Sequence, residues 1–332
     1  MLQNNLWGTV LIFFGATFLT SIVRRYVMLN NMLDIPNERS SHQAPTPRGG
    51  GLSIVIIFTL TSAYLAFQNL IPLNLFYALC GGMIIAAIGW IDDVTPTHPL
   101  WRAIVHTIAA LWAIYWLNGF PYLKWEPFSY FVGVLTVVWC VNLYNFMDGI
   151  DGLAGAQGLF ISLGAAFALK WIGTPELSIL CFFLATTIAG FLTWNWPPAK
   201  IFMGDIGSGY LGFVFAVLAI STANMGLLPL SFWCVISAVF LCDATFTVLY
   251  RAYCNKPWYK AHREHAYQRL IQGGASHQAV TLSILFVNIF ILFPTAYAIL
   301  SYPQWRIEIV SIGFFGIFAL WTAIVKMNAC KQ

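Results

Sequence analysis

The stretch Leu73–Ile91 reads LNLFYALCGGMIIAAIGWI and is followed at once by Asp92 and Asp93. It holds no charged side chain, and its length is close to the roughly 20 residues that a helix needs to cross a bilayer. The aspartate pair falls where such a helix would reach the membrane surface. Carboxylates are costly there unless they are paired, protonated or bound to a cation. This stretch therefore predicts a membrane helix that ends at a candidate functional site. The alternative is an aspartate pair at a helix end that is solvated or paired with Arg102.

The composition of the whole chain supports the same class of protein. Of 332 residues, 59% are hydrophobic and only 8% are charged, whereas a soluble domain carries roughly 25% charged residues. That is too little charge to coat a soluble globule of this size, so a soluble protein is excluded. The net charge of +4 comes with no basic stripe or tail. The sequence therefore predicts membrane lipids as neighbours and no nucleic-acid partner.

Eleven apolar runs predict an all-α, polytopic membrane protein that forms a single domain over residues 1–332. The runs are Leu6–Val23, Leu52–Leu70, Leu73–Ile91, Trp101–Leu117, Tyr130–Tyr144, Leu153–Ile172, Leu177–Trp194, Ser208–Ala223, Leu230–Tyr250, Val280–Leu300 and Ile307–Val325. With the N-terminus outside, alternation places on the inner side all of the 16 basic residues except Lys124, Lys170 and Arg306. This agrees with the positive-inside rule and predicts a cytosolic C-terminus.

Most of the acids fall on the same inner side, although the positive-inside rule gives them no reason to do so. Those acids are Asp34, Glu38, Asp92, Asp93, Asp148, Asp151, Asp205 and Glu264. Asp243 instead lies within the ninth run, where a charge needs a partner, and Thr245 or a neighbouring helix are the candidates. The clustering predicts a functional site at the inner membrane face.

Two acidic segments on this face have residue types that suit a metal and a nucleotide. In the segment NLYNFMDGIDGL, Asn142, Asn145 and Asp148 are spaced by three and would share one helix face before Gly149 and Gly152 break the helix. Oxygen ligands at a broken helix suit Mg²⁺. The alternative is a polar cap between two spans.

The segment FMGDIGSG is the second of these, and a Gly-rich turn that opens a helix offers N–H groups to a phosphate. Asp205 fits such a site if a metal bridges it to the phosphate, and Phe202 is placed to stack on a base. An ordinary turn into the eighth span is the alternative.

Two further inner loops carry basic side chains. The basic loop, Lys256–Arg269, contains His262 and His265, which are spaced as a zinc pair would be but lack obvious further ligands. A pyrophosphate clamp and a loop that lies among lipid headgroups are the two main interpretations. The loop before the second run brings Arg39, His42 and Arg48 to the same face, where arginine is suited to phosphate oxygens.

In order along the chain, these segments resemble the motifs of one known family. They are DIPNERSSH (34–42), PTPRGGG (45–51), Asp92-Asp93, NLYNFMDGIDG (142–152) and FMGDIGS (202–208). The chain resembles the polyprenyl-phosphate N-acetylhexosamine-1-phosphate transferases, bacterial glycosyltransferase family 4, over nearly its whole length. The resemblance implies about eleven transmembrane helices and a cytosolic active site in the bacterial inner membrane. It also implies Mg²⁺, with Mn²⁺ as an alternative, and attack of undecaprenyl phosphate on a UDP-N-acetylhexosamine with release of UMP. A homodimer is left open.

The resemblance also implies roles for individual residues. Asn145 and Asp205 resemble the metal ligands, and Asp92, with Asp93 beside it, resembles the residue that deprotonates or orients the lipid phosphate. The substrate-binding positions would be Arg39, His42, Arg48, Asn142, Asp148, Asp151, Asn195 and Phe202, with Phe202 stacking on uracil. The residues of the basic loop that would grip the diphosphate and recognise the sugar are His262, Arg263 and His265.

The basic loop also bears on the sugar. It reads HREHAYQRL from His262 to Leu270, whereas the peptidoglycan branch of the family carries three consecutive histidines. The loop is more similar to the branch that starts O-antigen and other surface polysaccharides, including N-acetylfucosamine and N-acetylquinovosamine transferases. Transfer of GlcNAc-1-phosphate or of phospho-MurNAc-pentapeptide remains an alternative. From other classes, a transporter of a phosphorylated solute and a non-catalytic scaffold are the rivals.

Overall fold

The computed structural model describes residues 2–36, 44–257 and 262–329 and is 77% helical. The first eight helices are α1 (Leu2–Leu29), α2 (Leu52–Phe67), α3 (Leu73–Val94), α4 (Pro99–Trp116), α5 (Glu126–Phe146), α6 (Leu153–Trp171), α7 (Pro175–Asn195) and α8 (Asp205–Asn224). They are followed by α9 (Leu230–Ile236), α10 (Ala238–Tyr253), α11 (Ala266–Gln272), α12 (His277–Val287), a π-helix (Asn288–Leu292), α13 (Phe293–Ser301), a 3₁₀ turn (Pro303–Trp305) and α14 (Arg306–Ala329). The prediction of an all-α membrane protein is confirmed.

The only strands in the described ranges are two short ones that flank residues 37–43. β1 (Leu33–Asp34) and β2 (Thr46–Pro47) pair antiparallel, with Leu33 opposite Pro47. The chain after β2 also pairs with the loop before α8, because Gly50 N donates to Phe202 O and Gly51 N donates to Met203 O, each at 2.9 Å. These contacts hold the start of α2 against the start of α8.

Every predicted run lies on helix, but not every one is a simple span. Eight helical segments are long and apolar enough to cross a membrane, and α9 with α10 makes a ninth if that bent pair is counted as one span. The two remaining runs are α2, a shorter apolar helix, and α4, which carries Arg102 and His106. About eleven membrane helices were predicted, and the helix count agrees once α2 and α4 are included with the nine.

The central helix is α8, and its neighbours approach it closely. Of its membrane-spanning window 94% is buried, against 11% for the window in α14. Glycine permits the close approach, since a Cβ on Gly212 would meet the backbone of α5 and a Cβ on Gly51 would meet the backbone of Gly207. Small residues of this kind are the usual means of packing membrane helices. The site described below is built around the first turn of α8.

The ninth run differs from the prediction because it is not one helix. α9 and α10 meet at Ser237 with a bend of 81°. The Gln157 side-chain amide donates to Ile236 O at 3.2 Å, beside the bend, and Asn288 donates to Gln157 Oε1 at 2.6 Å. A carbonyl inside a membrane must find a partner within the protein, and here residues of α6 and the π-helix supply it.

The predicted inner-face motifs meet at one end of the bundle. The ends of α3, α5 and α7 lie there with the starts of α4, α6 and α8, as the hydrogen bonds of the next section establish. This is the arrangement that strict alternation of spans requires. The prediction that these motifs share one side is therefore confirmed for the described residues.

Candidate active site

One guanidinium group lies between two aspartates that are far apart in sequence. Arg102 Nη1 is 2.8 Å from Asp92 Oδ2 and 2.9 Å from Asp205 Oδ2. Asp92 ends α3, Arg102 lies in the first turn of α4, and Asp205 opens α8. We call Asp92, Asp93 and Asp205 the carboxylate cluster. A single positive charge is shared by two of its members, so the cluster is arranged to hold a cation.

The turn between α3 and α4 fixes the Asp92 carboxylate from the other side. Thr97 donates to Asp92 Oδ1 through its backbone N–H at 2.7 Å and through its hydroxyl at 2.5 Å. Pro96 disfavours helix at Thr95, so α3 stops at Val94 and the chain turns back at Thr97. The orientation of Asp92 thus does not depend on Arg102.

The Asp93 side chain has a structural role at the start of α8. Its side chain is buried, with Oδ1 accepting from Asp205 N at 3.0 Å and Oδ2 accepting from Ile206 N at 3.2 Å. Arg48 Nε donates to the Asp93 carbonyl at 2.8 Å and lies 3.8 Å from Oδ1. Asp93 therefore caps α8 and sets the position of Asp205, while its predicted catalytic role remains a prediction.

Gly204 makes the approach of Asp93 to α8 feasible. It has a φ of +77°, a conformation that favours glycine, and a Cβ there would collide with the Asp93 carboxylate. Arg48, which was predicted to bind phosphate, also lies at this junction and donates to the Asp92 carbonyl at 3.3 Å. Its guanidinium group is thus engaged with the end of α3.

Asn145 reaches the first turn of α8. Its Nδ2 donates to Ser208 Oγ at 3.0 Å, and its carboxamide contacts the Asp205 carboxylate. A small polar cavity, with room for about one water molecule, is lined by Arg102, Asn142, Asn145 and Asp205. Asn142 Nδ2 donates to Val138 O at 2.7 Å, within α5. The two predicted amides are thus brought together with Asp205.

His106 lines the same cavity and was not singled out in the sequence. It lies one turn after Arg102 on α4 and is 8% exposed. Its Nδ1 has no hydrogen-bond partner within the ranges that the structure describes. The spacing of four from Arg102 is the signal that could have found it, because residues i and i+4 share a helix face.

Asp148 does not lie on the helix face that was predicted for it. α5 ends at Phe146, with Met147 as its cap, so the break comes before Gly149 and Asp148 stands in the following turn. Burial, together with the charges of Asp205, Asp93 and Asp151, raises the pKa of Asp148 well above its ordinary range. The carboxylates of the cluster and Asp148 are therefore close enough to repel one another, and a cation would relieve that repulsion.

The next turn contains two further predicted residues, and both bond within the chain. Asp151 accepts from Ala199 N at 2.9 Å and lies 3.2 Å from His277 Nδ1. The buried Asn195 side chain accepts from Gly152 N at 3.2 Å and donates to Ile201 O at 3.0 Å. These contacts join the start of α6 to the loop after α7. They favour a structural role for Asn195, whose predicted nucleotide contact stays a prediction.

The second half of the site is the part of the basic loop that the structure describes. Glu264 pairs with Arg251, with Lys256 at 3.0 Å and with Arg269 at 3.6 Å. Although burial opposes it, the Lys256 hydrogen bond and the charges of the two arginines lower the pKa of Glu264. One carboxylate thus gathers three cations at the end of α10 and the start of α11.

Asp243 ties this loop to the membrane helices. It accepts from Ala266 N at 2.8 Å and from Tyr267 N at 3.3 Å, which caps α11. Its partner on α10 is the Thr247 hydroxyl at 3.1 Å, so of the two predicted partners Thr245 is wrong and a neighbouring helix, here α11, is confirmed. Side chains two apart on a helix do not face each other, whereas those four apart do.

The two histidines of the loop lie together. The ring centres of His262 and His265 are 4.8 Å apart, and His265 lies 3.7 Å from Asp243 Oδ1. Burial, with the charges of His265 and Arg251, lowers the pKa of His262 to about 4. Within the described residues no three His, Cys, Asp or Glu side chains are grouped as metal ligands, so no zinc site is found there. The predicted residues Arg39 and His42 lie outside the described residues.

The comparisons with known proteins agree with this geometry. Residues 75–223, which contain the carboxylate cluster, match glycosyl transferase family 4. This part of the chain is similar to glycosyl transferase family 4. The matched range includes every helix that contributes to the cluster, and it ends before α9 and the basic loop.

Several known proteins are similar to this chain over most of their length. A Bacillus subtilis protein named "Probable undecaprenyl-phosphate N-acetylglucosaminyl 1-phosphate transferase" is 29% identical, over 93% of this chain and 89% of its own. An Escherichia coli O157:H7 protein named "Undecaprenyl-phosphate alpha-N-acetylglucosaminyl 1-phosphate transferase" is 26% identical, over 95% and 89%. A Mycobacterium leprae protein named "Decaprenyl-phosphate N-acetylglucosaminephosphotransferase" is 28% identical, over 87% and 82%.

The structure contains an apolar cavity of about 450 Å³. It lies between α5 and the bent pair α9–α10, with α8 behind it. Representative lining residues are Trp139, Leu143, Phe215, Trp233 and Phe240. Leu143 and the adjacent Tyr144, which also lines the cavity, directly precede Asn145. The cavity and the small polar cavity thus both use residues of α5, although they share no lining residue.

Proposed function

We propose that this chain transfers an N-acetylhexosamine-1-phosphate from a UDP-sugar to a polyprenyl phosphate, with Mg²⁺ or Mn²⁺ as cofactor. The observation that carries the proposal is the shared cation position between Asp92 and Asp205, next to the Asn145 carboxamide. Mg²⁺ is usually held by one or two carboxylates together with substrate phosphates and water. Asp205 and Asn145 would hold the ion, with Asp92 adjacent. When bound, Mg²⁺ would neutralise the charge of the diphosphate and assist the departure of UMP.

In the proposed reaction, an oxygen of the lipid phosphate attacks the β-phosphorus of the UDP-sugar. The new P–O bond joins lipid phosphate to sugar phosphate, the bridging P–O bond of the donor breaks, and UMP leaves with the bond electrons. A phosphate monoester has its second pKa near 6 and is mostly ionised at neutral pH. Asp92 therefore acts by orienting the attacking phosphate more than by removing its proton.

The basic loop supplies the opposite charge. Arg251, Lys256 and Arg269 are held together by Glu264, and an anion that enters here meets three cations with no further ordering cost. We assign the diphosphate of the donor and its sugar to this side of the site, with His262, Arg263 and His265 as contacts. Phe202 is assigned to the uracil ring.

The lipid is assigned to the apolar cavity. Its walls are aromatic and aliphatic, which suits an isoprenoid chain, and they include Leu143 and Tyr144, the two residues that precede Asn145. The names of the similar proteins specify undecaprenyl or decaprenyl phosphate. Undecaprenyl phosphate is the acceptor that we propose for this chain.

The sugar is proposed from two sources. The names of the similar proteins specify N-acetylglucosamine. The sequence of the basic loop instead favours a 6-deoxy N-acetylhexosamine such as N-acetylfucosamine or N-acetylquinovosamine. Either product would start synthesis of O-antigen or another surface polysaccharide. The basic loop lacks the three consecutive histidines that the resemblance associates with a phospho-MurNAc-pentapeptide donor.

The test is UMP release by the purified full chain in detergent. The assay contains undecaprenyl phosphate, Mg²⁺ and, in turn, UDP-GlcNAc and UDP-linked 6-deoxy N-acetylhexosamines. We expect release that requires lipid, is abolished by EDTA and falls about a thousandfold in Asp205→Asn, which corresponds to several kcal/mol of transition-state stabilisation. Glu176→Gln, at the opposite end of the bundle, is the matched control and should behave like the unchanged chain. UMP release that does not depend on lipid, or none with any donor from folded protein, would overturn the proposal.

The membrane orientation is proposed with the site on the cytosolic face of the bacterial inner membrane and the N-terminus outside. Cys254 offers a direct test, since it is exposed and lies at the site end of α10. With Cys330 replaced by serine, a membrane-impermeant maleimide should label Cys254 in inside-out vesicles and not in intact spheroplasts. Labelling of Cys254 in spheroplasts would mean that the site faces the outside, opposite to the proposed orientation.

A further inference from the structure

The side chain of Arg102 has an unusual set of partners. A single atom, Nη1, lies within hydrogen-bond distance of Asp92 at 2.8 Å and of Asp205 at 2.9 Å. The two carboxylates also have other partners, Thr97 for Asp92 and Asn145 for Asp205. The carboxylates are therefore already oriented towards a common point, and Arg102 supplies the positive charge that occupies it.

This position cannot hold Arg102 and a divalent cation together. Mg²⁺ binds oxygen at about 2.0–2.1 Å, so an ion held by Asp205 and Asn145, with Asp92 adjacent, would compete with Nη1 for the same carboxylate oxygens. Two positive groups at that separation also repel each other strongly. Metal binding by Asp205 beside Asp92 thus requires that the guanidinium group leave.

The structure gives Arg102 the freedom to leave. It lies in the first turn of α4, and its side chain is 28% exposed, as against 15% for Asp92 and 31% for Asp205. The site is therefore open to an incoming ion and to movement of a long, flexible side chain. A diphosphate that arrives with the metal would offer the released guanidinium a new anionic partner.

We propose that Arg102 is an internal counter-ion that competes with a divalent cation for Asp92 and Asp205. This rests on the proposed function only in using the same metal site. Metal affinity is then low when the protein is alone, and it rises when a nucleoside diphosphate is present to accept Arg102. This coupling favours joint binding of metal and donor. Until both have bound, Arg102 offsets the repulsion between the Asp92 and Asp205 carboxylates.

The experiment measures Mn²⁺ binding by the loss of the free-ion EPR signal, using the full chain in detergent without lipid or sugar donor. The variants are Arg102→Gln, Arg102→Lys and, as the matched control, Arg24→Gln, whose arginine contacts Lys200 O and the Trp194 ring away from the carboxylates. We expect Arg102→Gln to bind Mn²⁺ at least about tenfold more tightly than the unchanged chain, because one like charge is removed from the ion position. Arg102→Lys and Arg24→Gln should remain within about twofold of the unchanged chain.

A second arm repeats the titration with UDP. UDP should raise the Mn²⁺ affinity of the unchanged chain by a larger factor than that of Arg102→Gln, because only the former must release Arg102. Unchanged or weaker Mn²⁺ binding by Arg102→Gln, from protein with an unaltered melting temperature, overturns the inference. Asp205→Asn separates the two proposals: if Mn²⁺ binding does not depend on Asp205 in either background, the metal site of the proposed function fails, and the inference fails with it. Asp205-dependent binding with no effect of Arg102→Gln overturns the inference alone.

Discussion

The carboxylate cluster and the basic loop have the same design with the charges exchanged. In the cluster, one guanidinium group, that of Arg102, lies between the carboxylates of Asp92 and Asp205. In the loop, one carboxylate, that of Glu264, lies among three basic side chains, those of Arg251, Lys256 and Arg269. The first arrangement is suited to receive a cation and the second to receive an anion. A metal diphosphate presents both charges to such a pair of surfaces.

The two regions also differ in how they are held. The cluster stands on the ends of long helices, and each of its acids has backbone or side-chain partners from a second helix or turn. The loop stands on the end of α10 and on α11, which has only seven residues, and it depends on two acids, Glu264 and Asp243. We therefore expect changes in the cluster to act mainly on the chemical step, and changes in the loop to act mainly on binding and local order.

The largest effects should come from the adjacent acids Asp92 and Asp93, and they should differ in kind. Asp92→Asn keeps an oxygen for Thr97 but loses the charge, so kcat for UMP release should fall about a thousandfold with little change in melting temperature. Asp93→Asn places an amide donor against a backbone N–H of α8, which should also cost about 2 kcal/mol of unfolding free energy. Turnover assays and thermal unfolding in detergent measure both. An Asp93→Asn protein that is fully stable yet inactive would mean that Asp93 meets the substrate directly.

A smaller effect is expected at the centre of the basic loop. Glu264→Gln leaves three cations without their common anion, and they should spread apart. The KM for the UDP-sugar should rise about tenfold, the equivalent of one charged hydrogen bond, while kcat changes less. Glu308→Gln, an exposed acid at the start of α14, is the matched control. A fall in kcat at constant KM would place Glu264 in the chemical step instead.

The cap of α11 should matter for stability. Asp243→Asn loses the charge and one of the two acceptors for Ala266 N and Tyr267 N, so we expect a loss of about 1–2 kcal/mol and faster proteolysis within the basic loop. Thr245→Val on the same helix is the control, because the Thr245 hydroxyl has no hydrogen-bond partner among the described residues. Equal melting temperatures for the two variants would contradict the capping role.

Much of the fold could be predicted from the sequence because hydrophobic length is a strong signal. All eleven apolar runs fall on helix. The bend at Ser237 could not be predicted, since Leu230–Tyr250 contains neither Pro nor Gly to mark a break. The Ile236 carbonyl next to that bend accepts a hydrogen bond from Gln157, which in turn accepts one from Asn288. Gln157 and Asn288 are distant in sequence and come near the bend only in the folded bundle.

The site could be predicted at the level of which motifs meet. Of its ion pairs, only that of Asp92 with Arg102 was foreseen, as the alternative interpretation of the aspartate pair. Alternation of spans is enough to bring Asp92 and Asp205 to the same end of the bundle. That Arg102 bridges them, and that Asp93 turns away to cap α8, depends on helix rotation, which the spacing of motifs does not specify. The Thr247 partner of Asp243 could have been found, because four residues on a helix is the pairing distance.

The smallest effect that we expect is a pH dependence from the loop. Burial, with the charges of His265 and Arg251, lowers the pKa of His262 to about 4 in the folded protein, whereas an unfolded histidine titrates near 6.5. Above that value both states are neutral and His262 makes no pH-dependent contribution. As the pH falls from about 6.5 to about 4, only the unfolded chain takes up the proton, so stability declines across this window and levels off below it.

Replacement of His262 by glutamine should flatten this decline. Melting temperatures measured between pH 4 and pH 8 should be equally offset from the unchanged chain at every pH above about 6.5, and they should converge on it or exceed it as the pH falls. The values above pH 6.5 serve as the internal control, because there the substitution changes only packing. A constant offset across the whole range would mean that His262 is not held neutral by the fold.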